Sequence, residues 1–186
     1  MREFGSSSLS LAGSLLVAHP SLLDSNFCKT VIFLSTNDGE EGSFGLVLNR
    51  PAGRTVADLL PDADLDKLGS VPVFIGGPVS VDQLTFAAFR WDADARKLHC
   101  QHHLPLEEAQ SAIASRKCIV RAFIGYAGWS KGQLEAELAQ TAWMVTQPER
   151  ETLRISRSAT IWREMLSAFG PWFRLVAEAP EDPSRN

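Results

Sequence analysis

A chain of 186 residues, 45% hydrophobic and 22% charged, is long enough for one domain with its own core and needs no metal or disulfide staple. Its net charge of −4 argues against a protein that coats nucleic acid, which needs a basic field to displace counterions. Three cysteines, Cys28, Cys100 and Cys118, are odd in number and widely spaced; they read as reduced thiols and point to a cytoplasmic protein.

The N-terminal stretch to residue 14 reads as a flexible tail, followed by a core strand over 14–18. The apolar run Leu9 to Ala18 has leader-like character, but Glu3 sits where such a leader is basic and no A-x-A site precedes His19-Pro20. No other apolar run approaches the ~20 residues of a membrane span. Short apolar runs bounded by turn residues predict strands over 15–18, 30–34, 44–48, 71–75, 84–89, 118–126 and 153–155, with a weaker pattern over 142–145. Asn37-Asp38-Gly39 signals a hairpin between the second and third of these. Helical spacing of apolar residues predicts helices over 106–117, 131–140 and 159–169, the last closed by Gly170-Pro171. A shorter helix over 55–60 opens with Thr55 and Asp58 in a capping relation. In the 131–140 helix, Leu134 and Leu138 face inward and Glu135 and Glu137 outward. Strands cluster before helices interleave, which predicts an α+β domain with a mixed sheet over 15–176, then a polar, proline-bearing tail over 177–186.

The chemistry-bearing patterns are few. Gly128-Trp129-Ser130-Lys131-Gly132 has the G-x-S-x-G spacing of a hydrolase elbow, between a predicted strand and a predicted helix. All four histidines, His19, His99, His102 and His103, precede Ser130, so the chain order of that hydrolase fold is excluded. Ser130 and Gln133 instead read as an S-x-x-Q capping box. The glycines and Lys131 also offer an anion-binding helix start, although no Walker A pattern is present. In His99-Cys100-Gln101-His102-His103, strand alternation puts Cys100 and His102 on one face and His99 and His103 on the other. Neither pair makes a closed metal site, so no metal and no cofactor are expected. Asp62-Ala63-Asp64-Leu65-Asp66 lacks the glycine and the bidentate glutamate of a calcium loop.

Several blocks in order resemble one family. They are Leu15-Leu16-Val17-Ala18-His19-Pro20, Asp24 with Phe27, and Gly45-Leu46-Val47-Leu48-Asn49-Arg50-Pro51. Gly76-Gly77-Pro78-Val79, Gly125-Tyr126-Ala127-Gly128-Trp129, and Gly132-Gln133-Leu134-Glu135 with Trp143 follow. By these the chain resembles the AlgH/YqgE family over about residues 15–170. The resemblance implies a single α+β domain whose mixed, partly barrel-like sheet is surrounded by helices. It implies no established catalytic residue or cofactor, and a transcriptional-regulator label that comes from alginate regulation and not from a DNA-binding element. Many members of the family it resembles carry a Cys-Glu-His run where this chain has Ser35-Thr36-Asn37, and often a glycine or another small residue where Ser130 stands.

Taken together, these features favour a non-enzymatic regulatory or interaction protein of the cytoplasm. Its surface would lie around Asn49, Arg50 and Pro51, Gly76, Gly77 and Pro78, and Gly128, Trp129 and Lys131. Its partner would be another protein or a small anionic ligand, not a membrane. The rival is a small-molecule or nucleotide-binding enzyme using the same cleft, with Arg50 and Lys131 as anion contacts. Direct DNA binding ranks last, since no basic recognition helix is evident.

Overall fold

The computed structural model describes residues 10–38 and 40–179. Four strands come first: β1 (Leu15–Ala18), β2 (Val31–Asp38), β3 (Gly42–Val47) and β4 (Pro51–Thr55). A short helix α1 (Val56–Leu59) and a 3-10 turn (Asp66–Ser70) lead into β5 (Pro72–Ile75). The long hairpin of β6 (Val79–Asp92) and β7 (Lys97–Leu104) precedes α2 (Leu106–Ser115). Then come β8 (Ile119–Trp129), α3 (Gln133–Ala139) and β9 (Trp143–Thr146). Two 3-10 turns, α4 (Ile161–Ala168) and α5 (Pro171–Glu178) complete the described chain.

The strands make one mixed sheet in the order β4-β5-β8-β3-β2-β1-β9, with β6 also paired to β8 and β7 to β6. It curls into a half-barrel of the α+β class. The one parallel pairing among the described residues is β5 with β8. Two apolar clusters fill it. The larger joins β1, β2 and β3 to α4 and the tryptophans Trp129, Trp143 and Trp162. The smaller lies under α1 and α2, around Val56, Leu68, Ala109 and Val120.

β8 is the hub. Its first half pairs with β5 and β6, and its end pairs with β3 through Ser43↔Trp129, Phe44↔Gly128 and Gly45↔Ala127. The partner changes at Gly125, whose φ of +68° few side chains tolerate. Here the backbone of Gly76 and Gly77 crosses close over β8. A Cβ on Gly125 would lie 2.4 Å from the Gly77 carbonyl oxygen, and one on Gly77 would lie 2.2 Å from the Tyr126 carbonyl carbon. Glycine is therefore a requirement of approach at both positions.

Several elements depart from the pattern expected of the sequence. The apolar run at 153–155 is not a strand but lies in two 3-10 turns, Arg150–Leu153 and Ile155–Arg157. The Glu149 amide donates to the Thr152 hydroxyl (2.8 Å) and closes the first of these turns, with Leu153 buried. Gly170-Pro171 closes α4, as expected, but a further helix follows at once. Gly170 turns the chain at φ +140° and Pro171 occupies the first position of α5, where its missing N–H costs nothing. Ordered structure thus runs beyond 176, with Ala177 2% exposed. At the other end, Gly13 donates to the Leu34 carbonyl (2.7 Å) and Leu11 to the Asn37 side chain (3.1 Å), so 10–14 pack on the sheet. The rest of the two expected tails, 1–9 and 180–186, lies outside the described residues, as does Gly39 of the hairpin signal.

Candidate functional site

The three turns singled out in the sequence meet at the seam over β8. Val47 donates to the Gly76 carbonyl (2.9 Å), Gly76 to the Ile124 carbonyl (2.8 Å), and Ile75 to the Arg50 carbonyl (2.8 Å). Asn49, Arg50, Gly76 and Gly77 are therefore neighbours through their backbones, next to the strand that carries Gly128 and Trp129. Their side chains, however, do not converge on one space. Asn49 accepts from the Val31 amide (2.8 Å) and donates to the Lys29 carbonyl (2.9 Å), extending the β2 ladder by side chain. The half-buried Arg50 guanidinium donates to the carbonyls of Asn26 (2.6 Å), Ser25 (3.0 Å) and Cys28 (3.1 Å) and clamps the loop before β2. Pro51 and Pro78 are exposed. Lys131 pairs with Glu40 (2.6 Å) on the surface.

Trp129 belongs to the core. Its indole N–H donates to Glu137 Oε2 (2.9 Å), the atom that also accepts from Trp143 (2.7 Å), while Gln133 donates to Oε1 (2.9 Å). Glu137 is thus not an outward-facing charge but a half-buried acceptor for three side-chain donors. Ser130 is not the helix cap either. Gly132, at φ +77°, holds that position of α3. Half of the expected box survives, since Gln133 Oε1 accepts from the Ser130 amide (3.1 Å). The Ser130 hydroxyl donates to the same oxygen (3.2 Å) and has no histidine partner among the described residues.

The geometry brings forward a site that the spacing of residues concealed. An open groove of about 740 Å³ runs over the ends of β3, β7 and β8, between the β2–β3 hairpin and the start of β6. Gly128 and Trp129 line it, with Phe44, Tyr126 and His103; Asp38 and Glu41 stand at one side. Phe44 is its centre. Its ring stacks on His102 at 4.4 Å, with His103 at 5.0 Å and Tyr126 at 4.9 Å. Alternation would have put His102 and His103 on opposite faces. Instead Leu104 pairs with Phe86 but Gln101 with Ala88, so β7 carries an extra residue, and His103 adopts φ +56°. This bulge turns both rings onto Phe44. Nothing in the spacing of the histidines announces it.

Burial, then the neighbouring His103, holds the His102 pKa below the ordinary imidazole value, so the ring is neutral near pH 7. His102 Nδ1 is buried and has no partner among the described residues. Burial pushes the Cys100 thiol up to about 12, which makes it inert as a nucleophile. His99 faces Asp92 (3.7 Å) instead. Among the described residues no group of three or more His, Cys, Asp or Glu side chains is arranged to hold a metal ion.

The rim of the groove is mostly polar and, along β6, incompletely paired. Val79 pairs with Tyr126 and Leu84 with Ile124, but residues 80–83 have no register partner in β8 or, among the described residues, in β7. Val81 stands 60% exposed there.

Fold and groove together define a single-domain α+β half-barrel with a glycine seam and an open aromatic groove. The AlgH-like family model matches residues 15–174, and the chain belongs to this family. It is 41% identical to the UPF0301 protein SCO2948 of Streptomyces coelicolor, over 95% of this chain and 96% of that protein. It is 34% identical to a UPF0301 protein of Chlorobaculum parvum, over 94% and 95% of the two chains. Among solved structures, the AlgH protein of Pseudomonas aeruginosa is similar at a TM-score of 0.66 and 27% identity, covering 98% of this chain and all of that one. Protein DIP2367 of Corynebacterium diphtheriae shares the fold at a TM-score of 0.69 and 21% identity, over 90% and 92% of the two chains. Among the described residues no helix is long and apolar enough to cross a membrane.

Proposed function

We propose that this chain is a non-enzymatic recognition protein of regulatory type, working in the cytoplasm, that holds an extended segment of a partner protein in the groove beside Phe44. The observation that carries this reading is the unpaired stretch 80–83 next to an aromatic floor. This stretch is a bulge in β6, with Ser80 at φ +53°, and its backbone groups outside the ladder offer donors and acceptors to an incoming chain, while pockets beside it select side chains. Phe44, Tyr126 and the neutral His102 offer rings at low cost in side-chain entropy. Asp38 and Glu41 favour a Lys or Arg in the partner segment. The spent donors of Arg50 and the Lys131–Glu40 pair favour this groove over an anion site at the seam.

A displayed library of random linear peptides tests the reading. Selection on the protein is expected to enrich sequences that alternate apolar residues and carry a Lys or Arg. Val81→Lys, a change at an exposed position, is expected to abolish their binding. Failure to enrich any sequence, or equal binding to Val81→Lys, would overturn the proposal.

A further inference from the structure

A second groove lies across the molecule's other cluster of exposed charge, and its character is opposite. It holds about 500 Å³ between the turn after α2, the start of β8 and the 3-10 turn Arg150–Leu153. Arg116 and Lys117 come from the first turn and Arg150 and Arg154 from the last. Arg154 is neutralised by an ion pair with Glu151. Arg116, Lys117 and Arg150 are exposed, and none has a side-chain hydrogen bond or a carboxylate partner among the described residues. The floor between them is apolar: Trp91 half-buried, and Ile119 48% exposed at the head of β8.

Behind this floor sits one more cation. Arg121, 1% exposed, shares a face of β8 with Ile119. Its guanidinium lies 4.2 Å over the Phe74 ring and donates to the carbonyls of Leu48 (3.0 Å) and Leu153 (2.6 Å). Leu153 is itself a wall of the groove. Arg121 Nε is buried without a partner, and the bonds of the guanidinium are to carbonyls, not to a carboxylate. Burial lowers its pKa only to about 10, so the charge persists at neutral pH. A chain of net charge −4 thus concentrates three unpaired exposed cations and a buried one around a single apolar floor. Like charges gathered this way repel one another, and a bound polyanion relieves that repulsion.

We propose that this groove binds a nucleoside polyphosphate, with phosphates on Arg116, Lys117 and Arg150 and the base over Trp91 and Ile119. The size suits this class, since small-molecule sites run from about 300 to 1,000 Å³. Guanidinium forks match phosphate oxygens two at a time. The apolar floor distinguishes the ligand from inorganic polyphosphate, which has nothing to place there. The bounded cavity distinguishes it from a long single strand, which needs a basic track.

Calorimetric titration of the full chain with ATP, GTP, tripolyphosphate and a single-stranded oligonucleotide provides the test. At least one nucleoside triphosphate is expected to bind, with tripolyphosphate weaker by about tenfold or more. Arg116→Ala with Arg150→Ala is expected to weaken nucleotide binding by about tenfold or more, with an unchanged urea midpoint, because both side chains are exposed. Arg163→Ala, an exposed cation on α4, should leave binding as it is. The proposal is overturned if millimolar nucleotide gives no heat, if tripolyphosphate binds as well as nucleotide, if the oligonucleotide binds more tightly, or if the double variant binds normally.

Discussion

Removing the Glu137 carboxylate strips the acceptor from two buried donors at once. Trp129 is 4% exposed and Trp143 3%, and both indoles donate to Oε2 of this one side chain. A buried donor left without an acceptor costs about 1–3 kcal/mol. Two such donors give about 2–6 kcal/mol for Glu137→Ala. Because Glu137 is half-buried, water can enter the vacated space and partly satisfy the indoles, which favours the lower half, about 3 kcal/mol. With a urea slope of about 2 kcal/mol/M, the midpoint should fall by about 1.5 M. Glu137→Gln keeps an amide oxygen but loses the charge, and should cost about half as much. Tryptophan emission during urea unfolding reads both numbers, since the affected rings are the reporters. In a Trp143→Phe background the cost of Glu137→Ala should shrink, because one orphan donor is already gone. A Glu137→Ala variant within about 0.5 kcal/mol of the parent chain would refute the idea that this carboxylate organises the indoles.

Three further outcomes are expected. Gly125→Ala forces a Cβ to 2.4 Å from the Gly77 oxygen and 2.7 Å from the Val79 oxygen, both backbone, at φ +68°; it should cost about 4 kcal/mol or more and yield little folded protein. A Gly125→Ala chain of unchanged melting temperature would mean that the seam is looser than described. The depressed pKa of His102 means that the unfolded chain binds this proton more readily, so its contribution is complete above the ordinary pKa of 6.5 and is lost as pH falls below it. Melting temperature against pH should be flatter across that range in His102→Leu than in the parent chain, and parallel curves would refute the assignment. Ser130→Ala removes one exposed hydroxyl contact and should change stability by about 0.5 kcal/mol or less, and in the parent chain a serine-directed probe should not label Ser130. Stoichiometric labelling would identify a nucleophile and reverse that reading.

Legibility was uneven for physical reasons. Buried apolar runs such as Leu15–Ala18 and the core of β8 were readable because burial on both faces leaves a continuous hydrophobic signature. The edges were not. β4, with its Pro-Ala-Gly-Arg-Thr sequence, has no strand character of its own and is ordered by pairing with β5. The glycine turns were legible as special positions, but their reason is backbone approach, which only the register reveals. Arg50 stands out in the sequence as a charge directly after a core strand, yet its partners lie 22–25 residues upstream, where no local pattern points to them. The groove at Phe44 was hidden because one bulged residue in β7 overturns the period of two on which any reading of His102 and His103 rests.

The hub role of β8 sets the order in which the molecule can be assembled during synthesis. β3 and β5, though complete by residue 75 and paired to β2 and β4, gain their second sheet partner only when residues 119–129 exist. β1 likewise waits for β9 to cover its second edge. A ribosome-bound chain carrying only the first half therefore holds adjacent strands with open edges and must be shielded from sticking to others of its kind. Contacts this distant in sequence also slow the closing step. Release of the last third of the polypeptide is the moment at which the whole sheet can lock.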